Sequence, residues 1–399
     1  MSHQRLAATP YLAVDLERLQ GNIDRMARLA SDAGVALRPH VKTHKCLEIA
    51  QMQVAAGARG ITVATLGEAE VFADAGFDDI FIAYPLWLDD AKIERLVRLS
   101  QRVSAGSVTP VTSKTPGAPG ESAQAPGRDA APREEPTNPV SVGVDSVEGI
   151  ARVAEAVRRG ANVQVVVEID SGHHRSGVSP AVAGELADEA RDAGVGCAGV
   201  FTFPGHSYAP GEGRLDAAVD EAQALGAAVA SLEAEEFSRE SLVVSGGSSP
   251  SAEFVGSVSA AAPITELRPG VYVFGDAQQW ELGACAPEDV ALTAHATVIS
   301  HAGGRAVLDS GSKVLGADRA AWATGFGRLL DHPEARIVIL SEHHAVVDMA
   351  GEPLPPLGSL VRVVPNHACN AVNLVDTLTV TSANGPVQTW RVAARGANT

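Results

Sequence analysis

Val163-Gln164-Val165-Val166-Val167-Glu168-Ile169-Asp170 is the stretch on which the fold turns. A strand with one wet face alternates apolar and polar residues. A near-continuous β-branched run is what a parallel strand buried on both faces carries. Helical patterns flank it at residues 147–159 and 180–193, so the local unit reads helix–strand–helix. Working outward, similar short runs occupy 35–41, 60–65, 79–83, 140–144, 199–203, 242–245 and 271–274, with further helical patterns at 15–33, 66–75, 91–99 and 215–235. That rhythm predicts close to eight βα units and favours a TIM-type (β/α)8 barrel over a doubly wound sheet. Capping residues agree: Asp15, Asp145 and Ser146 precede helical patterns, and Ser179-Pro180 is an N-cap followed by proline. Gly34, Gly76 and Gly194 stand where helix C-termini are expected.

Near Gly275 the rhythm changes. Strand-like runs at 292–300, 305–308, 337–340, 344–349, 360–364, 377–380 and 387–392 follow with little helix between them. The expected organisation is a barrel over residues 12–275 and an all-β domain over 276–399, with residues 1–11 available to join the latter. Residues 104–138 are rich in Pro, Gly, Ser, Thr and Ala and cannot bury a core, which reads as a disordered insertion.

The chain has 399 residues, 45% hydrophobic and 20% charged, an ordinary globular composition, and a formal net charge of −17. That charge disfavours nucleic acid and anionic membrane as partners, since both would repel it. Four scattered cysteines (Cys46, Cys197, Cys285, Cys369) make no disulfide framework. With no apolar signal segment or membrane-length run, a cytoplasmic protein is expected.

Four stretches carry chemistry. In Arg38-Pro39-His40-Val41-Lys42-Thr43-His44-Lys45, Lys42 follows an apolar run at the expected C-terminal end of a barrel strand. Its cationic neighbours disfavour protonation, and a neutral lysine amine is what imine formation with an aldehyde needs. Ser245-Gly246-Gly247-Ser248 has the glycines and hydroxyls of a phosphate cradle late in the barrel, although such a run is equally a tight turn. Glu168–Gly177 and Pro204–Tyr208 also follow strands. Arg175 in the first is a candidate for neutralising an anionic ligand oxygen, and His206 in the second is a candidate acid or base. Finally, His367-Ala368-Cys369, read as extended, points an imidazole and a thiol the same way, a donor pair that suits Zn²⁺.

At these residues the chain resembles the D-serine dehydratase / D-threonine aldolase family of pyridoxal 5′-phosphate (PLP) enzymes. These are fold type III, alanine-racemase-like proteins. Collinear matching pieces also include 268–274, 308–313 and 365–369. The resemblance implies a barrel with a C-terminal β domain, usually homodimeric. It implies that Lys42 holds PLP through an imine, that Arg175 meets the cofactor's phenolic oxygen, and that His206 and Tyr208 lie at the cofactor. It also places the phosphate at Ser245, Gly246, Gly247 and Ser248. His367 and Cys369 would hold a divalent metal gripping a β-hydroxyl. Dehydratase-type members carry His-x-Cys with zinc; aldolases carry His-x-Asp with manganese or magnesium. The expected activity is therefore a lyase reaction on a D-configured β-hydroxy amino acid. A D-serine dehydratase-type ammonia-lyase acting on D-serine or D-threo-3-hydroxyaspartate comes first, a D-threonine aldolase second. A racemase or a non-catalytic PLP-binding protein comes behind these. In the aldolase, His206 is the expected base for the β-hydroxyl. Ser341-Glu342-His343-His344-Ala345 departs from the family's Ser-Glu-Glu-His-Gly, which the resemblance places near the metal or the substrate.

Overall fold

The structure, a computed structural model, describes residues 7–104, 139–258, 264–383, 385 and 387–399. The proposed insertion at 104–138 therefore lies, apart from Ser104, outside the described residues, as does most of 1–11.

The strands, in chain order, begin with β1 (Tyr11–Asp15), β2 (Ala36–Leu37), β3 (Ile61–Val63), β4 (Ile80–Ile82) and β5 (Val140–Val144). Then come β6 (Val163–Glu168), β7 (Gly196–Phe201), β8 (Val243–Gly246) and β9 (Glu266–Leu267). Strands β2 to β9 form one eight-stranded parallel sheet in the order β2-β9-β8-β7-β6-β5-β4-β3. A parallel bridge from His40 to Thr62 brings the two ends together and closes the barrel. β6 is buried on both faces except at Gln164, as its valine run requires.

Helices α1 (Leu16–Asp32), α2 (Leu47–Ala55), α3 (Leu66–Asp74), α4 (Asp90–Ser104), α5 (Val147–Arg158), α6 (Ala183–Asp192) and α7 (Gly213–Ala234) cover the outside. In α1 the Asp15 side chain accepts from Arg18 N and caps the start, while Leu19, Ile23, Met26 and Ala30 make the buried stripe. One close approach depends on glycine. Gly199 in β7 sits beside a register shift against β6, at φ +144°, and a Cβ there would come within 2.0 Å of the Val243 carbonyl oxygen.

The eighth barrel strand corrects the sequence reading. It is Glu266–Leu267, while residues 271–273 form a single 3-10 turn. Glu266 hides the strand because a carboxylate breaks the apolar pattern. It is buried because Arg38 in the barrel interior binds it at 2.7 Å and Asp79 at 2.6 Å. Phe81, Val166 and Phe201 pack beside this cluster.

The second sheet adds β10 (Leu292–Ser300), β11 (Ala306–Leu308), β12 (Gly327–Leu329), β13 (His332–Leu340), β14 (Ala345–Asp348), β15 (Leu360–Pro365), β16 (Thr377–Thr381) and β17 (Gln388–Arg391). Its order is β11-β14-β13-β12-β15-β10-β1-β16-β17, and a further β10–β11 pairing closes the first six of these into a small barrel. β1 enters this sheet antiparallel to β10 and parallel to β16, so residues 11–15 make the N-terminal contribution. The core under this sheet includes Leu19 and Ile23 of α1 and Ile49 of α2, which ties it to the barrel. All four cysteines are free. Among the described residues no helix is long and apolar enough to cross a membrane.

Candidate active site

A cavity of about 840 Å³ opens where the C-terminal ends of the barrel strands meet the second sheet. Lys42, His40, Arg175, His173, Phe203, Tyr208, Gly247, Ser248, Arg268, His367 and Cys369 all line it. Lys42 lies in a one-turn 3-10 helix, Val41–Thr43, directly after β2 and the His40–Thr62 bridge that prolongs its pairing. Its Nζ lies 5.6 Å from the centre of the Phe203 ring, and Arg175 lies over the same ring at 5.1 Å.

Burial is the first cause that lowers the Lys42 pKa, with Arg175 and Arg268 adding to it against Cys369 and Glu68. Arg175 and Arg268 are not among the cations the sequence suggested; of those, His40 faces the Lys42 charge and the other three are engaged elsewhere. Arg38 is turned to the barrel floor. His44 is buried and bonded to Gln53 and Cys46, and burial lowers its pKa to about 4. Lys45, at φ +52°, is paired with Glu68 at 3.3 Å and bonded to Asn373 and Asn398. The Lys45–Asn373 bond ties the turn carrying Lys42 to helix Ala368–Asn373, which carries Cys369.

Gly247, Ser248 and Ser249 face the cavity, whereas Ser245 and Gly246 lie beneath it. Ser245 instead donates to Glu266 and accepts from Arg268. Gly247 adopts φ +81°, and a Cβ there would meet Leu267 Cδ2 at 2.7 Å. Gly270 faces the cavity too, and a Cβ there would fall 2.8 Å from the Thr43 hydroxyl oxygen.

His206 is not at the cavity where the resemblance placed it, and His173, a residue with no expected role, is. His206 does not line the cavity; its Nε2 lies 3.3 Å from Asp220 on α7. His173 lines it, edge-on to Phe203 at 5.7 Å, with its pKa lowered by burial and then by Arg175 and His206. Gly205 makes the room, since a Cβ there would sit 2.5 Å from the His173 ring. This is the signal that the Pro-Gly-His sequence holds but does not display.

His367 and Cys369 come together because the chain turns into a helix, not because it is extended. His367 is the extended N-cap residue and Cys369 is in the first turn of helix Ala368–Asn373. Asp276 accepts from Ala368 N and fixes that start. His367 Nδ1 lies 2.5 Å from Asp318, which leaves Nε2 for another partner. Cys369 Sγ lies 3.2 Å from the Thr43 hydroxyl. Burial opposes ionisation of both groups, yet they stabilise each other: His367 is pushed well above the usual imidazole range and the Cys369 thiol is lowered. With the shared proton displaced by a cation, the Cys369 sulfur and the His367 Nε2 would form a donor pair that fits a divalent metal. Among the described residues no set of three or more His, Cys, Asp or Glu is arranged to hold one. Residues 341–345, where the chain departs from the family's pattern, do not line the cavity; Glu342 pairs with Lys313.

Sequence reasoning missed Arg268. Its guanidinium lies over Phe81 and Phe201, donates to Ser245 and the Thr202 carbonyl, and has its pKa lowered by burial to about 10. The Arg268-Pro269-Gly270 run after a strand was the available signal.

The alanine racemase N-terminal domain matches residues 14–110 and 124–278, and the putative serine dehydratase domain matches 291–381. D-threo-3-hydroxyaspartate dehydratase of Delftia sp. HT23 is 33% identical over 96% of this chain and 96% of its own length. The chain belongs to the D-serine dehydratase / D-threonine aldolase family. D-threonine aldolase of Arthrobacter sp. is also 33% identical, over 97% of this chain and 93% of its own. In three dimensions the Delftia dehydratase superposes with a TM-score of 0.79 at 31% identity, covering 97% of each chain. D-threonine aldolase of Filomicrobium marinum gives 0.78 at 28%, covering 98% of this chain and 96% of that one. The family places the chain among lyases with the alanine-racemase-like fold of PLP enzymes. Family members equally similar to this chain perform two different bond cleavages, so the overall match does not choose between them.

Proposed function

We propose that this protein is a PLP- and divalent-metal-dependent ammonia-lyase of D-configured β-hydroxy amino acids, of the D-serine dehydratase type. The observation that carries this reading is that one cavity holds Lys42 on one wall and the His367–Cys369 pair on another. The cavity volume suits a cofactor with a small substrate. His40 Nδ1 is buried there without a protein partner, a polar atom left for a ligand. When bound, the cofactor supplies an electron sink at the α-carbon and a zinc-like cation supplies a Lewis acid at the β-oxygen.

The chain's own groups do the rest. Lys42, whose ammonium form is disfavoured by burial, would hold the cofactor, and its Nζ is the group that would take the proton from the α-carbon. Phe203 sets the floor on which Lys42 and Arg175 both rest. Arg175 and Arg268 bring positive charge to an anionic ligand. Thr43 and Asp318 orient the thiol and the imidazole.

A second reading, retro-aldol cleavage to glycine and an aldehyde, needs a base for the β-hydroxyl. His206 is outside the cavity, so that part falls to His173, an imidazole whose protonation is disfavoured by burial and by Arg175. His-x-Cys, the dehydratase pattern, is what ranks this reading second. A homodimer in a reducing cytoplasm belongs to the same proposal; the free thiols fit it.

The test uses purified protein reconstituted with PLP and Zn²⁺. It should show a visible imine absorbance that Lys42→Ala abolishes. Its lyase activity on D-serine or D-threo-3-hydroxyaspartate should be lost to chelator and to Cys369→Ala. Activity indifferent to both metal perturbations would remove the metal from the reading; absorbance persisting in Lys42→Ala would remove Lys42.

A further inference from the structure

Beneath the glycine turn lies a carboxylate with no part in the chemistry above. Glu221, on α7, is 3% exposed. Its Oε1 accepts from Gly247 N at 2.6 Å, and a Cβ on Gly246 would stand 2.5 Å from that same oxygen. The glycine at 246 is therefore the room in which Glu221 reaches the turn. The N–H it occupies belongs to a residue that lines the cavity and that sequence reasoning assigned to a phosphate. A buried negative charge at that point opposes a phosphate dianion, whereas a protonated carboxyl still accepts the Gly247 N–H through its carbonyl oxygen.

We propose that Glu221 is the positioning residue of the Gly246-Gly247-Ser248 turn, holding Gly247 N–H and being in its protonated form whenever a phosphate group occupies the cavity. This rests on the reading of the cavity as a PLP site. Two further observations support it. Burial raises the Glu221 pKa to about 7, against the Gly247 hydrogen bond and the Arg268 charge, so the group is poised to titrate near neutrality. The charged groups around it leave it largely uncompensated. Arg268 beyond β9 is the cation whose charge reaches it, but Arg268 also faces Glu266 and Glu168. His206, from the turn Gly205–Ser207, turns to Asp220, and Glu253 turns to Arg214. The residues 246–251 carry no charge of their own.

The sign is distinctive. A phosphate ester loses its second proton near pH 6, so by itself it binds about twofold more tightly at pH 8 than at pH 6. Coupling to a group that titrates at about 7 weakens binding about tenfold over the same interval, a net loss of roughly fivefold.

The probe is pyridoxine 5′-phosphate, which has the ring and the phosphate but no aldehyde, so imine formation by Lys42 does not enter. Its dissociation constant is measured from pH 6 to 8 in the full-length apoprotein and in Glu221→Gln, whose amide oxygen still accepts from Gly247. Wild type should weaken roughly fivefold across the range, while Glu221→Gln should tighten slightly and bind more strongly at pH 8. Parallel curves in the two proteins overturn the inference while leaving the PLP reading standing. Failure of wild type to bind the probe at all overturns both. Should Glu221→Gln not fold, calorimetry of wild type at pH 7.5 in two buffers of different ionisation enthalpy decides the matter. Net uptake of about 0.7 proton per ligand is expected from a group at about 7; no uptake overturns the inference.

Discussion

Gly247→Ala puts the phosphate-turn assignment under direct load. The wild-type residue has φ +81°, and left-handed backbone costs an alanine roughly 1–2 kcal/mol. The added Cβ would lie 2.7 Å from Leu267 Cδ2, with the next atom at 3.5 Å, so one methyl is the whole obstacle. Leu267 is 1% exposed and part of the barrel core, so clearing that methyl means leaving its rotamer well, about 0.5–1.5 kcal/mol. The two costs sum to about 1.5–3.5 kcal/mol. The open side of the turn is the cavity, so the turn relaxes there and the cost appears as lost cofactor affinity. At 1.4 kcal/mol per decade this is about 10- to 300-fold. The assay is PLP titration of the apoprotein, followed by absorbance, beside thermal unfolding. Leu267→Val in the same background withdraws the Cδ2 methyl and should recover the steric share, leaving the backbone share. Wild-type affinity in Gly247→Ala, or no recovery in the double variant, would refute the reasoning.

Other perturbations probe different parts. Asp318→Ala should weaken Zn²⁺ binding about 10- to 100-fold, read by competition with a chromogenic chelator, because the carboxylate fixes which His367 nitrogen is free; unchanged affinity contradicts that role. Arg38→Met removes the direct ion-pair partner of Glu266, 2% exposed, leaving it only the Ser245 hydroxyl and the charge of Arg268, and should cost about 3–5 kcal/mol in denaturant unfolding; a loss under about 1 kcal/mol would show that the cluster is not the barrel's interior brace. Burial lowers the His44 pKa from its ordinary 6.5 to about 4 in the folded state, so the unfolded chain gains the proton first as pH falls. Stability should drop between about pH 6.5 and 4, by on the order of 3 kcal/mol, and His44→Gln should flatten that slope; equal slopes would contradict it.

Much of the barrel was readable because parallel strands buried on both faces announce themselves, as Val163–Glu168 does. Glu266–Leu267 was not readable, because its burial depends on Arg38, far away in sequence, and no local pattern encodes that pairing. Gly327–Leu329 is too short and too polar at Arg328, which is held by Glu281. The same division runs through the site. Lys42, Arg175, Tyr208, Gly247, Ser248, His367 and Cys369 are brought to one cavity. Ser245 and Gly246 fall one layer below, because the turn buries its first half against Glu266 and Glu221. His173 rather than His206 reaches the cavity, and Gly205, by its missing Cβ, leaves room for the His173 ring. Glu221 had no sequence signal at all, since a glutamate in a long helix reads as surface.

The central claim is that one cavity joins imine chemistry at Lys42 to metal chemistry at His367 and Cys369, and that the bond it breaks is the one to the β-hydroxyl. The direct measurement is product identification by proton NMR. Zinc- and PLP-loaded protein is incubated with D-serine, D-threonine and D-threo-3-hydroxyaspartate, with and without chelator. The account predicts keto acid and ammonia, abolished by chelator; glycine with an aldehyde, or keto acid formed equally without metal, would contradict it.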